Sequence, residues 1–135
     1  MTLLLDVNVL VAFAWPTHAH HTRARAWFAR RQEGWATSPP TEMGFVRLSA
    51  NPSVVDQPLS PAEAAEVMAS LRSMDSHRFW PDGVDAATVD WGSALSYRHV
   101  PDAHLVAIAQ QHGGRVATLD RRLVERSAGA AVLVT

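Results

Sequence analysis

The sequence predicts an α/β fold in which helices cover both faces of a mostly parallel sheet. Short apolar runs alternate with stretches of helical periodicity along all 135 residues. Two of these runs, TLLL at 2–5 and RVATL at 115–119, end directly in an aspartate. Hydrophobic residues make up 47% and charged residues 19%, which is typical of a globular chain. We expect residues 1–135 to form a single domain.

The first half of the chain predicts two strands and three helices. The continuous apolar run at 2–5 is typical of a strand buried on both faces. Gly34 is a plausible end for the second helix, and the pair Pro39 and Pro40 favours the start of the third. In chain order we expect a strand at 2–5, a helix at 7–15, a helix at 17–34, a strand at 35–38 and a helix at about 39–50.

The second half continues the alternation and has the clearest helix start. Ser60 is the expected N-cap, Pro61 the first helical residue, and Glu63 completes a capping box. Gly113 and Gly114 are expected to end a later helix. In chain order we expect a helix to about 74, a strand at 77–81, a helix at 85–97, a helix from 101, a strand at 115–119, a helix at 121–127 and a strand at 130–134.

Composition excludes several classes of site. The chain has no cysteine, so it forms no disulfide, thiolate metal site or cysteine nucleophile. It has no lysine either, because all 12 basic residues are arginine, and this excludes a Schiff base or a P-loop lysine. The net charge of −1 becomes positive if metal neutralises several carboxylates, which is compatible with a polyanionic substrate. No signal peptide or membrane span is predicted, so we expect a cytoplasmic protein.

Four acidic residues occupy positions where chemistry is expected. Asp6 and Asp120 follow apolar strands, and the carboxyl ends of parallel strands meet at one edge of a sheet. Glu42 and Asp102 lie in the first turns of predicted helices, where the helix dipole alone also favours an acid. Clustered carboxylates repel unless a cation neutralises them. The pattern therefore predicts a site for a hard divalent cation, Mg²⁺ or Mn²⁺.

Three polar residues are candidate supports for this site. Asn8 could orient a carboxylate or a water, or simply cap a helix. Thr118, two residues before Asp120, could hydrogen-bond within the site, or serve only as a strand residue. Arg47, a little over one turn after Glu42, could approach a scissile phosphate or form a structural ion pair.

Two basic segments have structural and functional interpretations. The histidines of HAHH at 18–21 cannot all face one ion in a regular helix, so a solvated loop or a phosphate contact is favoured over metal binding. The arginines between Arg23 and Arg31 form one face of a predicted amphipathic helix. That face is either solvated or a contact surface for RNA or an acidic partner.

Four segments resemble, in order and spacing, the motifs of PIN-domain ribonucleases, and in particular VapC-type toxins of bacterial type II toxin–antitoxin pairs. The segments are LLLDVNVLVAFAW, TEMGFVRL, PDAHLVAIAQQHGG and ATLDRRL. The resemblance places the family's four acids on Asp6, Glu42, Asp102 and Asp120, and its polar residue on Asn8. It implies an α/β/α sandwich that binds Mg²⁺ or Mn²⁺ and hydrolyses RNA phosphodiester bonds. It also implies a homodimer that a cognate antitoxin silences.

The residues and the resemblance together favour a metal-dependent endoribonuclease. In this hypothesis Asp6, Asp102 and Asp120 hold the metal and Glu42 completes the cluster. A phosphatase or phosphotransfer receiver is disfavoured, because those sites usually need a lysine. The alternative kept open is a catalytically inactive PIN-like scaffold that binds a partner protein or nucleic acid.

Overall fold

A five-stranded sheet, parallel throughout, forms the centre of the molecule in the computed structural model, which describes residues 1–135. The strand order is β3-β2-β1-β4-β5, so the first strand of the chain is the central one. The strands are β1 (Thr2–Leu5), β2 (Gly34–Thr37), β3 (His77–Phe79), β4 (Arg115–Thr118) and β5 (Ala131–Leu133). The strand order reverses between β1 and β4, which is where ligands bind in open α/β sheets.

Six helices connect the strands and cover the sheet. They are α1 (Val7–Ala14), α2 (His21–Arg30), α3 (Pro39–Ser49), α4 (Pro61–Arg72), α5 (Val100–Gln111) and α6 (Arg121–Arg126). A single turn of 3₁₀ helix, Tyr97–His99, precedes α5.

Two hydrophobic cores lie on opposite faces of the sheet. Leu3 and Leu5 of β1 pack with α1 to α4, whereas Leu4 packs with α5 and α6. Successive side chains of a strand point to opposite faces, so this division follows directly from the strand geometry. The predicted three-layer α/β/α arrangement is confirmed.

The predicted helix boundaries at Ser60 and at Gly113 are confirmed. Ser60 Oγ accepts a hydrogen bond from the Glu63 backbone N–H at 3.1 Å, and Glu63 Oε1 accepts one from the Ser60 N–H at 2.9 Å. Gly113 has φ +70°, a left-handed conformation that ends α5 at little steric cost. A Cβ on Gly114 would lie 2.4 Å from the Thr2 carbonyl oxygen, so only glycine allows this close approach to β1.

Two predictions about local structure are wrong. Residues 85–97 form turns, with helical geometry only from Tyr97, instead of the predicted helix. The side chains of Asp85 and Asp90 accept hydrogen bonds from the backbone N–H groups of Ala87 and Gly92, and such bonds compete with helix formation. Gly34 does not end a helix, because α2 already ends at Arg30 and Gly34 is the first residue of β2.

Membrane crossing by a helix is not supported. No helix of the chain combines the length and the apolar character that a span requires.

Candidate active site

Asp6 and Thr118 lie side by side at the carboxyl edge of the two central strands. β1 and β4 pair with Leu5 opposite Ala117, and the Asp6 N–H continues the ladder by donating to the Ala117 carbonyl at 2.9 Å. The Thr118 hydroxyl donates to Asp6 Oδ2 at 2.7 Å, and the Val7 N–H donates to Asp6 Oδ1 at 2.7 Å. Both carboxylate oxygens are therefore held in fixed directions.

Asn8 and Asp120 join the same network through Thr118. The Asn8 side-chain amide donates to Thr118 Oγ1 at 3.4 Å, and Asn8 Oδ1 accepts from the Leu119 N–H at 3.3 Å. The Asp120 N–H donates to Thr118 Oγ1 at 3.0 Å. Asp120 itself is the N-cap of α6 and accepts a hydrogen bond from the Arg122 N–H at 2.9 Å.

Asp102 reaches the same region from the first turn of α5. Its Oδ2 atom accepts a hydrogen bond from the Arg126 guanidinium at 2.9 Å. The side chains of Asp102 and Arg126 are 27% and 23% exposed, so this ion pair is partly shielded from solvent.

Burial and the charges of neighbouring aspartates both act on Asp6 and Asp102. Burial raises the pKa of Asp6 to about 6, the Thr118 hydrogen bond opposes this rise, and the charges of Asp102 and Asp120 add to it. Burial also raises the pKa of Asp102, with Arg126 opposing the rise and Asp120 adding to it. The charges of Asp102 and Asp120 therefore both act on the carboxyl edge where Asp6 lies.

Glu42 belongs to a different hydrogen-bond network, on the face of the sheet covered by α3. Its Oε2 atom accepts from the Thr37 hydroxyl at 2.5 Å, and its Oε1 atom contacts the Arg72 guanidinium at 3.5 Å. Thr37 Oγ1 also lies 2.8 Å from His77 Nε2. The carboxylates that act on the pKa of Asp6 are Asp102 and Asp120, and Glu42 is not among them.

Thr37 determines the hydrogen-bond direction in this second network. A hydroxyl group has one hydrogen, and Thr37 donates it to Glu42, so Thr37 accepts at His77 and Nε2 of that ring carries a hydrogen. Burial, and then the charge of Arg72, lower the pKa of His77.

The remaining predicted contacts are placed as follows. Arg47 is exposed and forms no ion pair, so the structural ion pair considered for it is absent. His18 and His20 lie before α2 and His21 begins it, and His21 Nδ1 is bonded to the Ala12 carbonyl at 2.8 Å. The guanidinium groups of Arg25 in α2 and of Arg31 just after it cover the rings of Phe13 and Phe28, respectively.

The donor set at the sheet edge fits a divalent cation in its chemistry. Carboxylate oxygens are preferred ligands of Mg²⁺ and Mn²⁺. A bound cation would stabilise the charged carboxylates and so offset the burial and the repulsion that raise the pKa of Asp6 and Asp102. No group of three or more histidine or acidic side chains is close enough as it stands to bind one ion together. The Arg126 contact holds Asp102 in its present position.

Thr37 and Arg126 contact candidate acids and His77 contacts Thr37, and none of the three was singled out from the sequence. His77 reaches Thr37 through the pairing of β2 with β3, which no local pattern encodes, whereas Thr37 and Glu42 are only five residues apart. The one available signal for Thr37 was its place at the end of a strand, the criterion that identified Asp6. Arg126 had no comparable signal, because its partner Asp102 lies on another helix.

Known proteins match the chain along nearly its whole length. The PIN domain family model matches residues 3–128. Ribonuclease VapC39 of Mycobacterium tuberculosis is 43% identical, and the alignment covers 99% of each chain. Ribonuclease VapC38 of the same organism is 48% identical, with 87% of this chain and 84% of that protein covered.

Solved structures share the fold at much lower identity. The crystal structure of Mycobacterium tuberculosis VapC20, described as a sarcin–ricin loop cleaving toxin, superposes with a TM-score of 0.68 at 17% identity and covers 95% of both chains. The structure of FitAcB from Neisseria gonorrhoeae gives 0.57 at 22% identity, with 97% and 96% covered. Together with the family match, these comparisons establish that the chain belongs to the PIN-domain family, among the VapC ribonucleases.

Proposed function

We propose that the chain is a Mg²⁺- or Mn²⁺-dependent endoribonuclease that hydrolyses RNA phosphodiester bonds as the toxin of a toxin–antitoxin pair. The observation that carries this proposal is the hydrogen-bonded network that links Asp6, Thr118 and Asp120 at the carboxyl edge of the central strands, with the charge of Asp102 acting on Asp6. Family membership supports it, because curated relatives that cover most of the chain are named ribonucleases. Residues 1–135 act as one domain in this proposal.

Asp6, Asp102 and Asp120 are the residues that would hold the metal. When bound there, the ion supplies Lewis acidity and neutralises negative charge around the phosphate. The chain's own hydrogen bonds do the positioning: Thr118 and the Val7 N–H fix the Asp6 carboxylate, and Asn8 ties Thr118 to the backbone after β4. These partners act on the acids as supporting groups act on ligands in other metal sites.

Glu42 is the fourth proposed catalytic acid, and the hydrogen bond from the Thr37 hydroxyl orients its carboxylate. Its contact with Arg72 is long, at 3.5 Å, and the Arg72 side chain is 42% exposed. Such a contact exchanges at little cost, since exposed ion pairs contribute roughly 0–1 kcal/mol. Glu42 can therefore leave Arg72 when RNA and metal enter, and Arg47 on the same helix remains available to a phosphate.

The proposed partners are RNA, a cognate antitoxin and a second copy of the chain, in the cytoplasm. The family supports the antitoxin, because VapC-type proteins are the toxins of such pairs. Exposed apolar side chains support the homodimer, with Leu95 80% and Tyr97 78% exposed. A catalytically inactive scaffold is the competing function, and loss of a site acid would favour it, whereas all four acids are present.

Cleavage of purified RNA by wild type and by Asp6→Asn tests the activity. We expect wild type to cleave in Mg²⁺ and to stop in EDTA. We expect Asp6→Asn to lose more than about a hundredfold in rate, since even partners of metal ligands are worth about 10- to 100-fold. Asp56→Asn, at an exposed loop carboxylate, is the control. Wild-type cleavage by Asp6→Asn in Mg²⁺ would refute the role of Asp6, and RNA binding without any cleavage would favour the scaffold.

A further inference from the structure

A cavity of about 500 Å³ lies between α5, the turn that joins α6 to β5, and residues 89–94. We call it the α5–α6 cavity. Its volume is within the range of roughly 300–1,000 Å³ that small-molecule sites occupy. Asp102 and Arg126 both belong to its wall, so the cavity begins at the proposed metal-binding cluster.

The helix α5 gives the cavity an apolar wall. Ala103, Val106 and Ala107 line it, and their spacing of three and four residues puts them on one face of the helix. Two of the three side chains are single methyl groups, so this face leaves space that a larger residue would fill. Such a surface is suited to the flat face of an aromatic ring, such as the face of a nucleobase.

Arg126 gives the cavity a phosphate donor at the end nearest the aspartates. A guanidinium group has five N–H donors, and Asp102 receives one hydrogen bond from it. None of its nitrogen atoms is buried without a partner, so the other donors face the cavity or solvent. Arginine donors in this geometry match the paired oxygens of a phosphate.

Gln110 lines the far part of the cavity, about 12 Å along the helix from Asp102 at 1.5 Å per residue. It is exposed, whereas the amide of the neighbouring Gln111 donates to the Gly83 carbonyl. A glutamine amide offers a donor and an acceptor together, and unpaired RNA bases are recognised by such pairs along their edges.

We propose that the α5–α6 cavity binds one nucleotide of the RNA strand adjacent to the phosphate that is cleaved. Arg126 contacts a phosphate of that nucleotide, its base packs on Ala107 and Val106, and Gln110 hydrogen-bonds the base edge. Gln110 is then a determinant of sequence preference. This proposal rests on the proposed ribonuclease function, since it extends that active site by one subsite.

Two cavity variants and one matched control test the proposal. Gln110→Ala removes the base contact, Ala107→Leu fills the space, and Gln111→Ala changes the neighbouring residue outside the cavity. Each protein cleaves a short single-stranded RNA pool of randomised sequence in Mg²⁺, and sequencing of the product ends gives the base preference. Fluorescence anisotropy of the labelled pool in EDTA gives the dissociation constant without cleavage, and circular dichroism melting shows that each variant is folded.

We expect the base preference of Gln110→Ala at one position beside the cleaved bond to be about tenfold weaker than that of wild type. This is the size of effect expected when a good two-bond contact to a base is lost. We expect Ala107→Leu to raise the dissociation constant and KM, and Gln111→Ala to match wild type. The proposal is overturned if Gln110→Ala and Ala107→Leu both show the same base preference at the product ends and the same dissociation constant for RNA as Gln111→Ala. If wild type cleaves nothing but Ala107→Leu still weakens RNA binding, the activity proposal fails and the cavity assignment stands.

Discussion

The Asp6 carboxylate shows how burial can outweigh hydrogen bonding at one residue. Thr118 and the Val7 N–H both donate to it, and each favours the charged form. Burial is nevertheless the largest effect, and it raises the pKa to about 6 from an ordinary value of 3.8. Without a cation, the folded chain therefore favours the neutral acid in a window where the unfolded chain is ionised.

This shift predicts a pH-dependent stability. Because the pKa of Asp6 is higher in the folded chain, that state binds more protons between about pH 4 and pH 6, and stability falls as the pH rises through this window. The cost at pH 7 is about 3 kcal/mol, at about 1.4 kcal/mol per pKa unit. In EDTA at pH 7 we therefore expect Asp6→Asn to have a higher melting temperature than wild type, and a free energy of unfolding larger by up to this amount. At pH 4 we expect the two proteins to have nearly the same stability. A melting difference of the same size at both pH values would contradict this origin.

At the residue scale, the sequence predicted the acids, Asn8 and Thr118 from strand ends and helix starts, and the structure joins Asp6, Asn8, Thr118 and Asp120 in one hydrogen-bond network. Asp6 follows a strand that is apolar throughout, and this local pattern was sufficient. Arg126 was beyond such reasoning, because its contact with Asp102 depends on how α5 and α6 pack on the sheet. Contacts between separate elements need the register and the packing, which one sequence does not specify.

At the scale of elements, strand alternation divides the candidate acids between two faces of the sheet. Leu4 and Val116 face α5 and α6, and Thr118, two residues after Val116, lies on that same face. Trp35 packs in the core under α1 to α4, and Thr37 follows it on that face, beneath Glu42. The division explains why Asp6 and Asp120 share the Thr118 network while Glu42 has its own.

The Thr37 network predicts a specific effect on cleavage. Thr37→Val keeps the shape of this fully buried side chain but leaves Glu42 and His77 without their shared hydroxyl. We expect a stability loss of about 1–3 kcal/mol and a roughly 10- to 100-fold lower kcat if Glu42 is catalytic. Urea unfolding and RNA cleavage at saturating Mg²⁺ measure the two effects.

A conservative variant and a control separate orientation from general damage. Thr37→Ser keeps the hydroxyl and should recover most of the activity, while Thr88→Val, at an exposed loop threonine, should change neither quantity. Full kcat in Thr37→Val would show that the orientation of Glu42 does not matter for cleavage.

The elements themselves were largely predictable, and one of the two failures has a clear local cause. The strands and the helices from α3 to α6 follow from apolar runs and from proline and glycine signals. The segment 85–97 has enough apolar residues to suggest a helix, but Asp85 and Asp90 form turns with their own backbone. Periodicity does not weigh these competing side-chain hydrogen bonds.

At the scale of the whole molecule, an apolar patch just before α5 and at its first residue is exposed to solvent. Leu95, Tyr97 and Val100 are 80%, 78% and 44% exposed, within six residues of chain. Apolar side chains concentrated in this way mark interaction surfaces more often than singly exposed ones. The patch adjoins the first turn of α5, which carries Asp102.

We predict that this patch is the surface through which two copies associate. Tyr97→Asp puts a charge at its most exposed aromatic residue, and burying an unpaired charge in an interface is unfavourable. Light scattering after gel filtration should therefore show a dimer for wild type and a monomer for this variant. Val54→Asp, at an apolar residue that is 45% exposed in another loop, should remain a dimer. A dimeric Tyr97→Asp would exclude the patch as the interface.

The central pairing of β1 with β4 also bears on translation. Thr118 is made 112 residues after Asp6, and Asp120, which is hydrogen-bonded to Thr118, follows it. A nascent polypeptide interrupted before residue 118 therefore lacks the proposed centre altogether, however well its first strands have paired. In the proposed function, no active enzyme forms on the ribosome until residue 120 has been made.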